Sequence, residues 1–410
     1  MAITSPRSQG LIRPEPRQSL LGWLFAIVLG VRVVFDGQTG SGQVSSPINA
    51  LCAGALLLIG VLYLLRRHRG VRFALILVAF LGISAGFGVA TYGTAVFAEY
   101  LRTLSVFAVA IAVLNAPRTW TVARAILVLQ LVGLIPAVVS IVQLLTHQGM
   151  EINGDLRAAG TFEHPNSAVV FFGIVAAGSL FQALTRSTLI RWAAVGLFSV
   201  SAVATFSVTG ILTLTLMLLM VIVLHRQVRP AVKIALVVLA AIAAAIVAGL
   251  PEWSSRVAGI LGTGDDLGTA YYSLQWRLHS WNYLLALVPE SPVFGIGYGT
   301  TTTDTVLQGN IPHNEYVRVL VETGGVGLLL AIIGLVALLG RLFRRLKDDP
   351  DGPASLGLAV LIGLLLNAAA ANTLLYSVAS YAAAMLIASA LIAPTSDQPN
   401  RLVTTRRVAR

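Results

Sequence analysis

The chain is short of charge, short of cysteine and, over most of its length, short of any polar interval that would sit in water. Charged residues fill 11% of its 410 positions, against about a quarter in soluble globular domains. That deficit excludes an ordinary soluble fold. The single cysteine, Cys52, lies inside an apolar run, which excludes a disulfide framework and a thiolate metal site. Acidic residues are fewer than basic ones, 17 against 28. A nucleic-acid protein would gather that excess into one patch, whereas here it is split into short clusters between apolar runs. The glycine-rich stretch Gly295-Ile296-Gly297-Tyr298-Gly299 has no strand before it and no Walker lysine after it. It reads as a turn that redirects the chain, not as a nucleotide cradle. Asp348, Asp349 and Asp351 resemble a metal-binding D-x-D cluster, but no α/β domain flanks them, and they read as a solvated turn.

What is present is hydrocarbon-compatible: 56% of residues are apolar and the mean hydropathy is +0.83. A membrane span needs about 20 mostly apolar residues. By that measure there are about twelve, near 20–35, 47–65, 71–90, 95–115, 122–145, 166–185, 190–206, 208–224, 231–250, 315–340, 353–371 and 374–393. The expected class is all-α, a polytopic integral membrane protein with about twelve transmembrane helices. The division between 190 and 224 rests on a weak interruption at Ser207, Thr209 and Gly210. The run Leu20–Val34 looks like a signal-peptide core, but no small-residue cleavage site follows it, so it is read as a retained first helix. The expected order is an N-terminal tail (1–19), helices over 20–250 with a short loop at 146–165, a large loop at 251–314, helices over 315–393 and a C-terminal tail (394–410).

Orientation follows from the Lys/Arg bias of short loops. Arg66, Arg67 and Arg69, then Arg118 and Arg124, Arg186 and Arg191, Arg226 to Lys233 and Arg341 to Lys347 fall on one side, with both tails. That side is expected to be cytoplasmic, its cations facing anionic headgroups. The opposite loops hold Asp36, Glu151, Asp155, Glu163, Glu252, Asp265, Asp266, Glu290 and Asp304. The loops at 146–165 and 251–314 are therefore expected on the outer face of the cytoplasmic membrane.

The basic residues that break this pattern are Arg32, Arg102, Arg157, Arg256, Arg277 and Arg318. Arg32 has Asp36 four residues on, and Arg102 has Glu99 three back, so each is expected to be neutralised on its own helix. Arg157 and Arg277 have no such helical partner. Around Arg277 the segment 271–285 places Leu274, Trp281, Leu284 and Leu285 at roughly helical spacing, with indoles suited to an interface. It reads as an amphipathic helix on the outer leaflet. A guanidinium there suits a lipid-linked phosphate or diphosphate, which it can bind through two parallel hydrogen bonds. His164-Pro165-Asn166 opens the next span, with proline suited to the first helical turn and Asn166 or Ser167 to its cap. His313 stands at the mouth of a span and can exchange a proton near neutral pH. Glu322 is an acid inside that span, where charge is costly and commonly functional.

Three stretches then resemble the O-antigen ligase and O-antigen polymerase superfamily of lipid-linked glycan transferases. His313-Asn314, nine residues, Gly324, two residues and Gly327 match its H-[NSQ]-x9-G-x2-[GTY] signature. Arg157-Ala158-Ala159-Gly160-Thr161-Phe162 with His164-Pro165-Asn166 is similar to its R-x2-G-x-F-x-x-P-N loop. Arg277 and Trp281, followed by the glycine-rich turn, are similar to the third. The likeness spans roughly 120–340. One departure is Val208, which stands in Thr205-Phe206-Ser207-Val208-Thr209-Gly210 where relatives often carry arginine.

The resemblance implies a metal-independent, inverting glycosyl transfer that uses no cofactor and no nucleic acid. Its donor would be a glycan on undecaprenyl diphosphate, and its acceptor a hydroxyl of a glycan, lipid or protein. His313 would be the general base, and Arg157 and Arg277 would hold the diphosphate. Asn314, Glu322, His164, Asn166 and Trp281 would line or support the site. A repeat-unit polymerase of the same superfamily shares these motifs. A multi-span transporter would instead place charged or broken helices at mid-membrane.

Overall fold

The computed structural model describes residues 20–38, 47–117, 120–152, 155–226, 228–249, 269–307 and 312–394. Arg118, Asn153, Gly154, Glu252, Arg256, Asp265, Asp266, the N-terminal tail and the C-terminal tail from 395 onward lie outside the described residues. Apolar runs become helices because a backbone without surrounding water must satisfy its own N–H and C=O groups. In order they are α1 (Leu20–Val34), α2 (Pro47–Arg67), α3 (Val71–Tyr92), α4 (Ala95–Leu114), α5 (Val122–Leu145), α6 (Pro165–Thr185), α7 (Leu189–Val203), α8 (Val208–Leu224), α9 (Pro230–Ala248), α10 (Thr269–Ala286), α11 (Glu315–Asp348), α12 (Ala354–Ala368) and α13 (Ser377–Ile392). Six of these, α2 to α6 and α11, are long and apolar enough to cross a membrane. Others are apolar but shorter, and the whole is an all-α polytopic membrane protein. The weak interruption at Ser207 is a real break, between α7 and α8. Within the short loop, β1 (Met150–Ile152) pairs antiparallel with β2 (Asp155–Arg157).

The bundle is wrapped around α6, in which every residue from Ser167 to Phe181 is buried. A helix apolar on all sides belongs at the centre. Phe162 sits over it, with ring centroids 5.2 Å from Phe171 and 5.5 Å from Phe172. Small residues let helices approach closely, as membrane interfaces require: a Cβ at Gly60 of α2 would lie 2.7 Å from the Ala108 Cβ of α4. The outward faces are the reverse of a soluble protein's. Leu75, Ile76 and Ile83 on α3 and Ile333 and Val336 on α11 are all exposed.

Loops that share a sign of charge also meet one another. At one end Arg67 donates to the Ala116 carbonyl, Asn115 Nδ2 to the Arg69 carbonyl, and Arg345 to the Ala393 carbonyl. The acidic and histidine-bearing loops meet at the other. Both ion pairs expected there are present, Arg32 with Asp36 in the turn just after α1 and Arg102 with Glu99 within α4.

Helix α11 is broken at Gly324, whose φ of 65° and ψ of −170° leave the helical region. The break frees backbone groups that an intact helix would pair, and each kink needs an account of where they go. Here the chain after α10 is threaded through the gap. Gly325 and Val326 donate to the carbonyls of Pro292 and Val293, at 2.8 and 3.1 Å. In return Ile296 and Gly297 donate to the carbonyls of Val321 and Glu322, at 2.9 and 3.0 Å. A Cβ at Gly324 would stand 2.3 Å from the Val293 oxygen. A Cβ at Gly297 (φ 114°) would stand 2.5 Å from Gly88 of α3. The glycine-rich turn is thus a splice between α11 and α3. Nothing about it is a phosphate cradle.

Candidate active site

The loop between β2 and α6 is pinned from three sides. From α5, Gln143 Oε1 accepts from the amides of Ala159 and Gly160. From the turn after α1, Gly37 donates to the Thr161 carbonyl at 2.8 Å, and Asp36 Oδ2 accepts from the Glu163 amide. From the α7–α8 break, the Ala204 carbonyl accepts from Ala158. That frame holds Arg157, which is buried at 8% exposure. Its Nε donates to the Thr205 carbonyl at 2.9 Å and one Nη to Asn166 Oδ1 at 3.0 Å. Asn166 Oδ1 also accepts from Ser207 Oγ, and Ser207 Oγ in turn caps α8 by accepting from the Gly210 amide. Thr205 and Ser207 therefore orient Arg157 and Asn166, beside Val208 at the start of α8.

His164 caps α6. Its Nδ1 accepts from the Asn166 amide at 3.0 Å, so the neutral ring carries its proton on Nε2. Asn314 caps α11, accepting from the amides of Tyr316 and Val317. That cap sets the entry angle of the preceding residue, His313, which is in the left-handed region at φ 51°. A non-glycine residue is uncommon there and costs about 1–3 kcal/mol, and such positions cluster at functional sites.

Helix α10 presents Arg277, Trp281 and Leu284 at i, i+4 and i+7, one face of a helix. Leu284 is fully buried, while Leu278, Tyr283 and Leu285 on other faces are exposed. Trp281 Nε1 donates to the Pro312 carbonyl at 2.8 Å, and the Trp276 ring meets His313 edge-on with centroids 5.8 Å apart. One indole packs on the His313 ring and the other holds the backbone just before it. Arg277 donates to the Ala370 carbonyl, in the α12–α13 connector, at 3.3 Å. Its Nε, like His313 Nδ1, is buried and completes no hydrogen bond to a described residue. Each such atom costs about 1–3 kcal/mol. Among the described residues no carboxylate pairs with Arg277.

The electrostatics draw the cluster together. Burial, then the Arg277 charge, then His164 pull His313 from 6.5 to about 3. Burial, then Arg157, then Arg277 pull His164 from 6.5 to about 4. Burial likewise lowers the Arg277 guanidinium, opposed by Tyr376. Both histidines are neutral at physiological pH, in a field of fixed positive charge. That field is matched to a multiply charged anion.

Most of the residues singled out in the sequence converge here: Arg157, His164, Asn166, Arg277, Trp281, His313 and Asn314. Glu322 is placed elsewhere. Its Oε1 accepts from Thr301 at 2.6 Å, and its Oε2 faces the fully buried Arg318, which also pairs with Glu315 and lies 5.4 Å over the Tyr298 ring. Glu322 thus secures the splice after α10. Residues that drew no attention in the sequence are Gln143, Asn372 and Tyr376. Asn372 and Tyr376 follow an apolar run, and nothing in their spacing marks them. Among the described residues no group of three or more His, Cys, Asp or Glu side chains gathers to hold a metal.

No curated protein matches the chain. A family match covers part of it and takes in Arg277, Trp281, His313, Asn314 and Glu322, with Arg157, His164 and Asn166 N-terminal to it. Residues 192–332 match the family model described as O-Antigen ligase, and this match supports placing the chain in the O-antigen ligase and polymerase superfamily, as an O-antigen ligase/polymerase-type membrane enzyme.

Proposed function

We propose that the protein transfers a glycan from an undecaprenyl-diphosphate donor to an acceptor hydroxyl, on the outer face of the cytoplasmic membrane. The observation that carries this reading is the convergence of Arg157, Arg277 and His313 from widely separated parts of the chain. Arg157 and Arg277 bind the diphosphate and stabilise the charge that grows on it as it leaves. Fixed donors aimed at developing charge are the largest single contribution in many enzymes. The acceptor oxygen attacks the anomeric carbon from the face opposite the leaving group, the bond from that carbon to the diphosphate oxygen breaks, and the configuration inverts. The electron pair leaves with undecaprenyl diphosphate, and the acceptor proton passes to His313. No metal is required for these steps.

A base held at about 3 is weak, and this shapes the order of events. Burial is the larger cause of that weakness, and the Arg277 charge adds to it; a diphosphate seated against Arg277 cancels the added charge and raises the basicity of His313. Proton abstraction is thereby tied to a bound donor, which guards against idle deprotonation. Trp276 and Trp281 shelter the ring from water, and α10, with Leu278 and Leu285 outward, lies against the outer leaflet where a lipid donor arrives. Both tails are on the cytoplasmic side in this reading, and the twelve spans carry the chain between them.

The test supplies purified protein with a radiolabelled undecaprenyl-diphosphate glycan and a panel of acceptors: lipid-anchored glycan, a second polyprenyl-linked repeat, and a hydroxyl-bearing protein. The acceptor that is used separates ligation from polymerisation. Loss of a positioned base costs about 10²–10⁴ in rate, and His313→Ala is expected in that range. Transfer at the wild-type rate by His313→Ala removes the histidine from the mechanism.

A further inference from the structure

The connector between α12 and α13, residues 369–376, lies outside the three motifs and outside the family match. Two of its side chains are buried with polar atoms not fully used. Asn372 is fully buried, and neither amide atom completes a hydrogen bond to a described residue. Tyr376 is buried at 7% exposure, and its hydroxyl has the Asn166 side chain as its one neighbouring hydrogen-bond partner among the described residues, without closing a hydrogen bond of full geometry. Buried polar side chains are overwhelmingly satisfied in folded proteins, so two in one turn need a reason.

The connector is well held. Thr373 donates to Asn367 Oδ1 at 3.0 Å and its carbonyl accepts from Ser380 Oγ at 2.8 Å, while the Asn372 carbonyl accepts from the amides of Leu375 and Tyr376. Its Ala370 carbonyl takes the Arg277 guanidinium at 3.3 Å, which fixes the turn against the cluster. The Tyr376 hydroxyl lies beside Asn166 and within the fields of Arg277 and Arg157. It is a neutral donor standing among two guanidiniums.

We infer that Tyr376 is a third element of the diphosphate site: its hydroxyl donates a hydrogen bond to a phosphate oxygen held by Arg157 and Arg277, with the Asn372 amide in the same turn as a further donor. This rests on the proposed donor chemistry, and extends it to a wall that the family motifs do not contain. A neutral hydroxyl adds a directed bond without adding charge, so it helps to position the leaving oxygens that two guanidiniums attract from either side.

The experiment titrates undecaprenyl diphosphate, and separately undecaprenol, into full-length protein in detergent, for wild type, Tyr376→Phe and Tyr381→Phe. Tyr381, five residues further on, shares a hydrogen bond with Ser105 Oγ at 2.7 Å and serves as the control for a merely structural tyrosine. Tyr376→Phe is expected to weaken diphosphate binding about tenfold, the loss of about 1.4 kcal/mol, to leave undecaprenol unchanged, and to raise donor KM more than it lowers kcat. Tyr381→Phe is expected to change neither affinity. Tight wild-type binding with an unaltered Tyr376→Phe affinity overturns this inference alone. Failure of wild type to bind the diphosphate overturns the donor reading itself, and this inference with it. Should Tyr376→Phe not fold, 3-fluorotyrosine placed at 376 reports directly: its fluorine resonance is expected to move on addition of undecaprenyl diphosphate, and an unmoved resonance overturns the contact.

Discussion

Two arginines from neighbouring stretches of chain, Arg277 and Arg318, have opposite surroundings. Arg318 is fully buried between Glu315 and Glu322, with the Tyr298 ring and hydroxyl completing its shell. Arg277 has a backbone carbonyl, an unpartnered Nε and two histidines kept neutral. A buried cation with its carboxylates in place is a structural rivet, because both charges are already matched. A buried cation without them is held ready for an anion that arrives later. Residue type does not distinguish the two arginines; the carboxylates around them do.

The comparison breaks most sharply at Arg318. Arg318→Ala leaves two carboxylates facing each other in the interior, and breaking such a pair costs about 3–5 kcal/mol. The expected outcome is loss of folded protein from the membrane fraction, read by size-exclusion profile; any molecules that remain folded should keep the wild-type donor KM. Arg277→Ala should do the converse. It is expected to cut transfer by about 10²–10³, the cost of a lost leaving-group donor, while the melting temperature holds or rises. A melting temperature that collapses in Arg277→Ala and holds in Arg318→Ala would reverse the assignment.

Gly324→Ala comes next. It forces a Cβ toward the Val293 oxygen and a strained φ, costing at least about 1–3 kcal/mol. Its signature is expected to be increased hydrogen exchange at Gly325 and Val326, whose amides are otherwise given to Pro292 and Val293.

The smallest expected effect is on pH dependence. His313 and His164 have folded values of about 3 and about 4, below the ordinary 6.5. The unfolded chain therefore binds protons that the folded one refuses, and stability falls as pH drops from about 6.5 toward 3. Melting temperatures measured across that window should fall, and His313→Gln should flatten the decline. An equally steep decline in His313→Gln would show that His313 does not titrate in the unoccupied site.

Much of this was legible from residues alone, for definite reasons. Lipid requires long apolar runs, so the helices announced themselves. Arg157 and Arg277 stood out because cations on an acidic face need explaining, and His313 because it ends a polar interval at a helix mouth. Glu322 stood out equally, and in the fold it is matched by Arg318, one helical turn away. The hairpin at 150–157 was too short to leave an alternating pattern. Tyr376 and Asn372 were hidden because a tyrosine and an asparagine beside alanine and leucine look like any helix end. Only their burial beside the cluster, with polar atoms left over, gives them away.

The break at Gly324 has a further consequence for the signature itself. Nine residues separate Asn314 from Gly324, and the splice clamps the second of these. Those nine residues are a ruler wound on a cylinder: each residue added or removed turns the upper segment by about 100° and shifts it by about 1.5 Å. A deletion at Val319 would therefore swing His313 away from Arg277 even though no side chain of the site had changed. The same deletion placed between Leu330 and Val336 would leave the histidine where it is. What the signature encodes, then, is a phase angle.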